Sequence, residues 1–346
     1  MKKLIWILIL AALCLFVLTG CAKNNDSIDN DPDRELIDIT WLKSADLEYN
    51  RENSREVYFT SDISSEGLVR VYQALNAGPK GRVALKLSTG EPPNSNYLRP
   101  ELIKDLVQQL NAVIVECNTA YEGRRSYNEL HLQVAKDHGF TDIADFDLMD
   151  SEDEISLPVI GGEVLQENFV GSHFINYDYF VILSHFKGHG MAGFGGAIKN
   201  ISIGIASRSG KFWIHSGGAR KKDSIDIPSF KGADFFKSMA EAGKSVSDYL
   251  NGNILYINVM NNLSISCDCN GNPVKPDMHD IGILASFDPV ALDQACIDFV
   301  AAAPDGKSLM NRINSIYPDL TGLIAVEHAA EIGLGSREYT LVNIDD

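Results

Sequence analysis

Short apolar runs alternate with amphipathic segments along most of the chain. Five runs are rich in β-branched residues: Arg82 to Ser88, Ala112 to Cys117, Tyr179 to His185, Ile254 to Met260 and Asp280 to Ser286. Helical patterns occupy Glu66 to Asn76, Pro100 to Leu110, Ser126 to His138, Lys231 to Leu250 and Pro289 to Ala302. Strands that alternate with amphipathic helices predict an α/β fold, with a mostly parallel sheet flanked by helices.

Polar residues follow each of the five predicted strands. The strand ends are Ser88-Thr89-Gly90, Glu116-Cys117-Asn118-Thr119, His185, Asn261-Asn262 leading to Cys267, and Ser286-Phe287-Asp288. In a parallel sheet all of these ends lie along one edge. We therefore expect the functional site at the carboxyl ends of the strands.

The first 36 residues differ from the rest of the chain. Residues 1–20 combine Lys2 and Lys3 with an apolar run, as in a signal peptide, and the ending Leu-Thr-Gly-Cys resembles a bacterial lipobox. The alternative is a transmembrane anchor, but the apolar run is shorter than the roughly 20 residues that span a bilayer. We expect Cys21 to be lipidated and to anchor the exported protein to the extracytoplasmic face of a membrane. Residues 21–36 then form a flexible tether.

Residues 37–346 are predicted to form a single α/β domain. The weakest internal joins are Asp150 to Glu167 and Gly217 to Pro228, and neither has the composition of a linker. The formal net charge of −17 argues against nucleic-acid binding, since this depends on neutralising phosphates. Solubility outside the cell explains the acidity adequately.

The segment from Tyr179 to Ser216 has the highest density of candidate chemistry. His185 and His189 have the spacing of two ligands on one helix face, but Gly188 and Gly190 favour a loop. Together with His215, these imidazoles could bind a metal, pair with an anionic substrate or transfer protons. The alternative is that they are ordinary hydrogen-bonded histidines.

A glycine-rich turn follows these histidines and is predicted to open a helix. Its candidate ligand-binding residues are Gly193, Gly195, Gly196, Lys199 and Asn200. Converging backbone N–H groups at such a turn can hold an anion. The glycine spacing matches neither a phosphate-binding loop nor a dinucleotide fingerprint. We therefore expect an anionic small molecule and not specifically a nucleotide.

Cys267 and Cys269 are the main candidate metal ligands. Two thiolates suit a transition metal such as zinc or iron, and His185, His189, His215 or Cys117 could complete the site. The predicted set is Cys267, Cys269, His185 and His189. The one-residue separation argues against a bridge between the two cysteines. Disulfides to Cys117 and Cys296, or free thiols, are the alternatives, and Cys296 alone is most simply a core residue.

Capping explains the start of the last predicted helix. Asp288 is an N-cap residue, and Pro289 occupies the first helical position. Asp293 lies five residues further on and is a candidate for supporting the site.

Several long segments resemble the bacterial and archaeal family called domain of unknown function 362. They are Asn118 to Arg125 with His131, Ser184 to Gly204, Ser207 to Lys211 with His215, and Ser264 to Val300. The resemblance extends from about Arg82 to Gly335. Members are often labelled iron-sulfur centre proteins, and many carry a ferredoxin-like insert after the position of His215. No cysteine occurs between Gly217 and Asn253, so no ferredoxin-type cluster is expected in this chain.

These patterns lead to a functional hypothesis with two rivals. The chain is predicted to be a membrane-anchored extracytoplasmic protein with a crevice for a metal and a small anion. In a redox or metal-dependent enzyme, His189, Lys199 and His215 would be catalytic, with Lys199 offsetting negative charge and a histidine exchanging protons. The rivals are a non-catalytic ligand-binding lipoprotein and an accessory subunit of a membrane redox complex.

Overall fold

The predicted strands form the centre of one eight-stranded sheet. The computed structural model describes residues 55–219 and 232–345, which all fall in one structural unit. The strands in spatial order are β12 (Thr340–Asn343), β1 (Glu56–Thr60), β11 (Gly282–Ser286), β10 (Ile254–Met260), β7 (Tyr179–His185), β2 (Val83–Lys86), β3 (Val113–Glu116) and β4 (Phe146–Leu148). The predicted signal peptide, Cys21, the tether and most of the join at Gly217 to Pro228 lie outside the described residues.

Five neighbouring strands, from β10 to β4, run parallel, which confirms the mostly parallel α/β fold. The fifth predicted strand, β11, is antiparallel to both of its neighbours. Ser286 therefore pairs with Tyr256, near the start of β10, and Ser286-Phe287-Asp288 lies at the opposite edge from the other strand ends. The prediction that all five ends share one edge was wrong for this strand. Strand direction is not encoded in an apolar run, so the sequence could not show it.

Helices cover both faces of the sheet. The helices are α1 (Ser65–Ala74), α2 (Pro100–Leu110), α3 (Asn128–Asp137), α4 (Ala197–Lys199), α5 (Arg208–His215), α6 (Ala233–Leu250), α7 (Pro289–Ala302), α8 (Lys307–Asn314) and α9 (Leu323–Glu331). Alternate side chains of β7 enter two separate cores, one with α1 and α2 and the other with α6 and α7. The short α4 continues into a π-helical turn, Asn200–Gly204. Within the described ranges, no helix is both long and apolar enough to cross a membrane.

Two small antiparallel pairs lie outside the main sheet. One joins β5 (Glu154–Pro158) to β6 (Glu167–Gly171), and the other joins β8 (Lys187–His189) to β9 (Gly193–Gly195). The second pair places the predicted histidine and glycine residues on a hairpin directly after β7. Strand β5 and the first residue of β6 lie in the segment Asp150 to Glu167, so this segment is part of the fold and not a linker.

Candidate functional site

A cavity of about 660 Å³ lies at the carboxyl ends of β2, β3 and β7. Ser88, Glu116 and His185, which follow or end these strands, line it together with the hairpin β8–β9 and the Cys267-Asp268-Cys269 turn. We call it the strand-end cavity. It gathers residues that are far apart in the sequence, as the strand-end pattern predicted.

The lining of the strand-end cavity is strongly cationic, although the chain as a whole is acidic. Two carboxylates, Glu116 and Asp268, face six basic side chains. The six are Lys86, Arg125, Lys187, Lys199, Lys211 and Arg312. A cavity with this excess of positive charge favours an anionic ligand.

Four of the six cations have partners in the protein. The Lys86 Nζ donates to the carbonyl oxygen of Leu87 at 2.6 Å and to Asn200 Oδ1 at 3.0 Å. The ammonium group of Lys187 lies 2.9 Å from an Asp268 oxygen. Lys211 Nζ donates to a backbone carbonyl oxygen at 2.5 Å, and Arg125 pairs with two carboxylates.

Lys199 and Arg312 differ from these four. Among residues 55–219 and 232–345, neither side chain has a hydrogen-bond or ion-pair partner, and the Arg312 Nε is buried without one. Burial, followed by the charges of Lys187 and Lys86, lowers the pKa of Lys199 to about 7. The sequence identified Lys199. It did not identify Arg312, which lies on α8 in a pattern typical of any amphipathic helix.

His189 faces the cysteines with one ring nitrogen. Its Nδ1 accepts hydrogen bonds from the backbone N–H groups of Met191 (3.2 Å) and Ala192 (3.0 Å). Burial, then the charges of Lys199 and His215, hold the pKa of His189 well below its usual value, so the ring is neutral near pH 7. Because Nδ1 accepts, the single ring proton lies on Nε2, which is 3.8 Å from Cys269 Sγ.

Cys267 and Cys269 are joined by a disulfide bond. The prediction that their spacing disfavours such a bridge was wrong, because the turn brings the two Cα atoms to 5.3 Å, within the usual range for disulfides. The alternative disulfides to Cys117 and Cys296 are not formed, since both of these cysteines are free and buried. Cys296 packs in the core as predicted.

The metal prediction is confirmed only in outline. His189, Cys267 and Cys269 form a group whose ligand atoms all lie within 4.8 Å of one another, so it could hold a metal ion. The fit requires reduction of the disulfide, since thiolates are the ligands. The fit also requires His189 Nε2 to lose its proton. That proton lies on Nε2 because Nδ1 accepts hydrogen bonds from two backbone N–H groups. This group of ligand atoms does not distinguish zinc from iron, the two metals expected from the sequence.

His185 is not part of that group. Its Nδ1 lies 2.8 Å from Asp268 Oδ1, and its Nε2 lies 2.6 Å from the carbonyl oxygen of Asn261. Burial alone would raise the pKa of Asp268, but His185 and then Lys187 hold it below the ordinary range. Both ring nitrogens of His185 are engaged with protein oxygens. The proposed metal role of His185 is therefore corrected to positioning the Cys-Asp-Cys turn.

His215, at the end of α5, lines the cavity from another side. Its Nδ1 donates to the carbonyl oxygen of Lys211 at 2.6 Å, and the ring stacks on Phe235. Burial lowers the pKa of His215 to about 4, so the ring is neutral near pH 7. The remaining nitrogen, Nε2, therefore carries a lone pair that can accept a proton.

The glycine-rich turn opens a helix, as predicted, but its backbone donors do not serve an external anion. The Asp293 carboxylate accepts from the N–H groups of Ala197 (2.7 Å) and Ile198 (2.9 Å). A Cβ atom at Gly196 would collide with this carboxylate, which explains the glycine. The predicted anion cradle is thus filled by the protein itself, and Asp293 has a structural role.

The other members of the predicted ligand set have different positions. Gly195 and Gly196 line the cavity, but Gly193 packs against Gly322 with a φ of 80°, away from it. Asn200 lines the cavity, but its side-chain amide is used internally. It accepts from Lys86 and donates to the carbonyl oxygen of Leu183 at 3.0 Å. Of the predicted set, Lys199 is the side chain left to bind a ligand.

A buried polar network forms the wall on the β3 side. Glu116 accepts from Arg125 Nη1 at 3.2 Å, from His131 Nε2 at 2.9 Å and from Thr89 Oγ1 at 2.6 Å. Burial alone would raise the pKa of Glu116, but His131 and Arg125 hold it below its ordinary range. One residue in the sequence indicated this polar interior. Lys86 is the single charged residue within the apolar strand β2.

Two solved structures are similar to the chain at low identity. One is the lactate racemase apoprotein from Thermoanaerobacterium thermosaccharolyticum, with 18% identity, a TM-score of 0.44, and coverage of 74% of this chain and 59% of that one. The other is a protein from Thermotoga maritima, with 14% identity, a TM-score of 0.38, and coverage of 67% and 57%. The chain thus spans less than two thirds of either protein. No curated protein matches the sequence.

The model of the family described as domain of unknown function (DUF362) matches residues 83–298. This range is more than half of the chain. It contains β2, β3, β7, the β8–β9 hairpin and the Cys-Asp-Cys turn, and therefore most of the strand-end cavity. The chain belongs to the DUF362 family.

Proposed function

We propose that the strand-end cavity binds a small organic anion. The observation that carries this proposal is that Lys199 and Arg312 line the same cavity without partners among the described residues. A guanidinium group matches the geometry of a carboxylate or phosphate and stays charged at any physiological pH. A bound anion would give both cations the partner that they lack.

The same residues support acid-base chemistry on the bound anion. The lone pair of His215 Nε2 can accept a proton, and protonated Lys199 can offset negative charge that develops on the ligand. This proposal keeps His215 and Lys199 in the roles expected from the sequence. A protein that only binds the anion would need Lys199 and Arg312 but not His215.

Ligand binding is tested on the purified protein by native mass spectrometry and by thermal shift with malonate and phosphate. We expect stabilisation that is reduced in Lys199→Gln and in Arg312→Gln. Lys136→Gln is the matched control, because Lys136 is exposed on α3 and outside the cavity. An equal response of all three variants would contradict the proposal.

Metal binding is a second candidate function, favoured by the His189, Cys267 and Cys269 group. A transition metal bound there would supply Lewis-acid or redox chemistry beside the anion. Elemental analysis after anaerobic purification with a reductant tests this. Stoichiometric zinc or iron that is lost in Cys267→Ser would support it, and absence of metal from the reduced protein would count against it.

We also propose that the protein is exported and anchored to the membrane through Cys21. The lipobox-like ending of the leader supports this proposal. Cys21→Ser should move the protein from the membrane fraction to the soluble fraction, or leave an uncleaved precursor. Crosslinking in cells then separates an accessory subunit of a membrane redox complex from a protein that acts alone.

A further inference from the structure

We propose that the Cys267–Cys269 disulfide is a thiol–disulfide exchange centre, at which a low-molecular-weight thiol is oxidised inside the strand-end cavity. This activity does not depend on anion binding. Both sulfur-bearing residues line the cavity. A disulfide that only held the fold together would join distant segments, whereas this one closes a turn of three residues.

The two pairs of cysteines in the described part of the chain have contrasting surroundings. Cys269 is partly exposed to the cavity, and Cys267 is 8% exposed. Cys117 also lines the cavity, but it is only 4% exposed and its Sγ donates to the carbonyl oxygen of Ile205 at 3.3 Å. Cys296 lies in the core, and burial raises the pKa of both thiols. Exchange requires an accessible sulfur. Cys269 therefore offers the accessible sulfur, whereas the buried thiols of Cys117 and Cys296 are poor nucleophiles.

His189 provides the second feature of an exchange centre. Its Nδ1 is fixed as an acceptor by Met191 and Ala192, so Nε2 carries a proton and faces Cys269 Sγ at 3.8 Å. A thiolate that leaves a disulfide is stabilised by a hydrogen-bond donor and by nearby positive charge. Lys199 and Arg312 line the same cavity and supply that charge.

The exchange balances as a two-electron reaction. The thiolate of the small thiol attacks Cys269 Sγ, the bond between the two cysteines breaks, and Cys267 leaves as a thiolate. A second thiolate then attacks the outer sulfur of the mixed disulfide, so that Cys269 leaves towards the His189 Nε2–H. Two small thiols become one small disulfide. The protein gains two electrons and two protons, as two thiols.

The test is performed on the folded protein with reduced glutathione as the probe and a chelator present to exclude metals. Maleimide labelling and peptide mapping follow each cysteine with time. We expect Cys267 and Cys269 to become labelled together under native conditions, while Cys117 and Cys296 remain unlabelled. Oxidised glutathione should restore the disulfide.

Three variants sharpen the result. Cys267→Ser, incubated with oxidised glutathione, should retain one glutathione on Cys269, because the sulfur that resolves the mixed disulfide is missing. His189→Leu should slow exchange several-fold, while His189→Gln, which keeps an N–H donor, should slow it less.

Two results would overturn the proposal. Reduction of the wild-type disulfide only after unfolding would do so and identify a purely structural bridge. Four free thiols in protein purified without reductant would overturn it as well.

Discussion

The carboxylate of Asp293, on α7, accepts a hydrogen bond from the backbone N–H of Ala197 at 2.7 Å. A second bond from Ile198 makes this carboxylate the acceptor for the start of α4, which leads into the cavity. Burial raises the pKa of Asp293 to about 6, and the same N–H donors oppose that rise. An acid of the protein thus occupies the position that the glycine-rich sequence suggested for a ligand.

Asp293→Ala should lower the free energy of unfolding by about 2–4 kcal/mol, because it leaves buried N–H donors without an acceptor. Asp293→Asn should cost less, since the amide oxygen can still accept one of the bonds. Chemical denaturation measures both changes. Asp277→Ala, at an exposed position outside the helices and strands, is the control and should have little effect. Equal losses at the two positions would contradict the structural role of Asp293.

Much of the fold could be predicted, because the spacing of apolar residues along the chain indicates which positions are buried. The predicted strand Tyr179 to His185 and the predicted helix Pro289 to Ala302 have the same bounds in the structure. The short strands β4 and β12 at the sheet edges, and β1 next to β12, were missed, since strands at or near an edge need not be apolar. The antiparallel direction of β11 could not be predicted either, because strand direction depends on the path of the chain and not on local composition.

The site was predicted in part, for a related reason. The Cys-Asp-Cys turn and His189 are unusual in the sequence and do meet in space. Asn200 and the backbone donors of the glycine turn were misassigned, because sequence does not show which polar groups are already satisfied inside the protein. Arg312 carried no local signal, since its role depends on α8 packing beside the cavity.

The Glu116 network should make stability sensitive to acid. The pKa of Glu116 is lower in the folded state than the ordinary value of about 4.3. Its contribution to the free energy of unfolding is therefore present above that ordinary value and is lost as the pH falls below it. Urea unfolding at pH 7 and at lower pH should show this decline.

Glu116→Gln should remove that acid sensitivity and destabilise the protein at pH 7 by about 3–5 kcal/mol, because buried Arg125 loses one of its two charged partners. Glu129→Gln, at an exposed site on α3, should leave both the stability and its pH dependence near those of the wild type. If Glu116→Gln unfolds at the same urea concentration as the wild type, the network is not a stabilising one.

Anion affinity should depend on pH through Lys199. With a pKa of about 7, the amine is cationic below pH 7 and becomes neutral as the pH rises. Malonate affinity should therefore fall by roughly tenfold across this range, as a charged hydrogen bond is lost. Isothermal titration in buffers of different ionisation enthalpy should detect proton uptake on binding. Lys199→Arg should flatten the pH profile, because a guanidinium group does not titrate there. An unchanged profile in that variant would exclude Lys199 as the titrating group.

A count of free thiols tests the disulfide directly. Of the four cysteines in the described residues, denatured protein that has not been reduced should show two free thiols, from Cys117 and Cys296. Reduction should raise the count to four. Peptide mapping identifies the pair, and a bridge that includes Cys117 or Cys296 would contradict the structure.

Arg312 lies beyond the last residue of the family match, whereas the other five cations of the cavity lie within it. Part of the cavity lining therefore comes from a helix outside the matched range. A substitution of Arg312 would therefore change both the anions that fit and the positive charge available to a leaving thiolate. Selectivity for the ligand and reactivity of the sulfur atoms are thus coupled through one side chain.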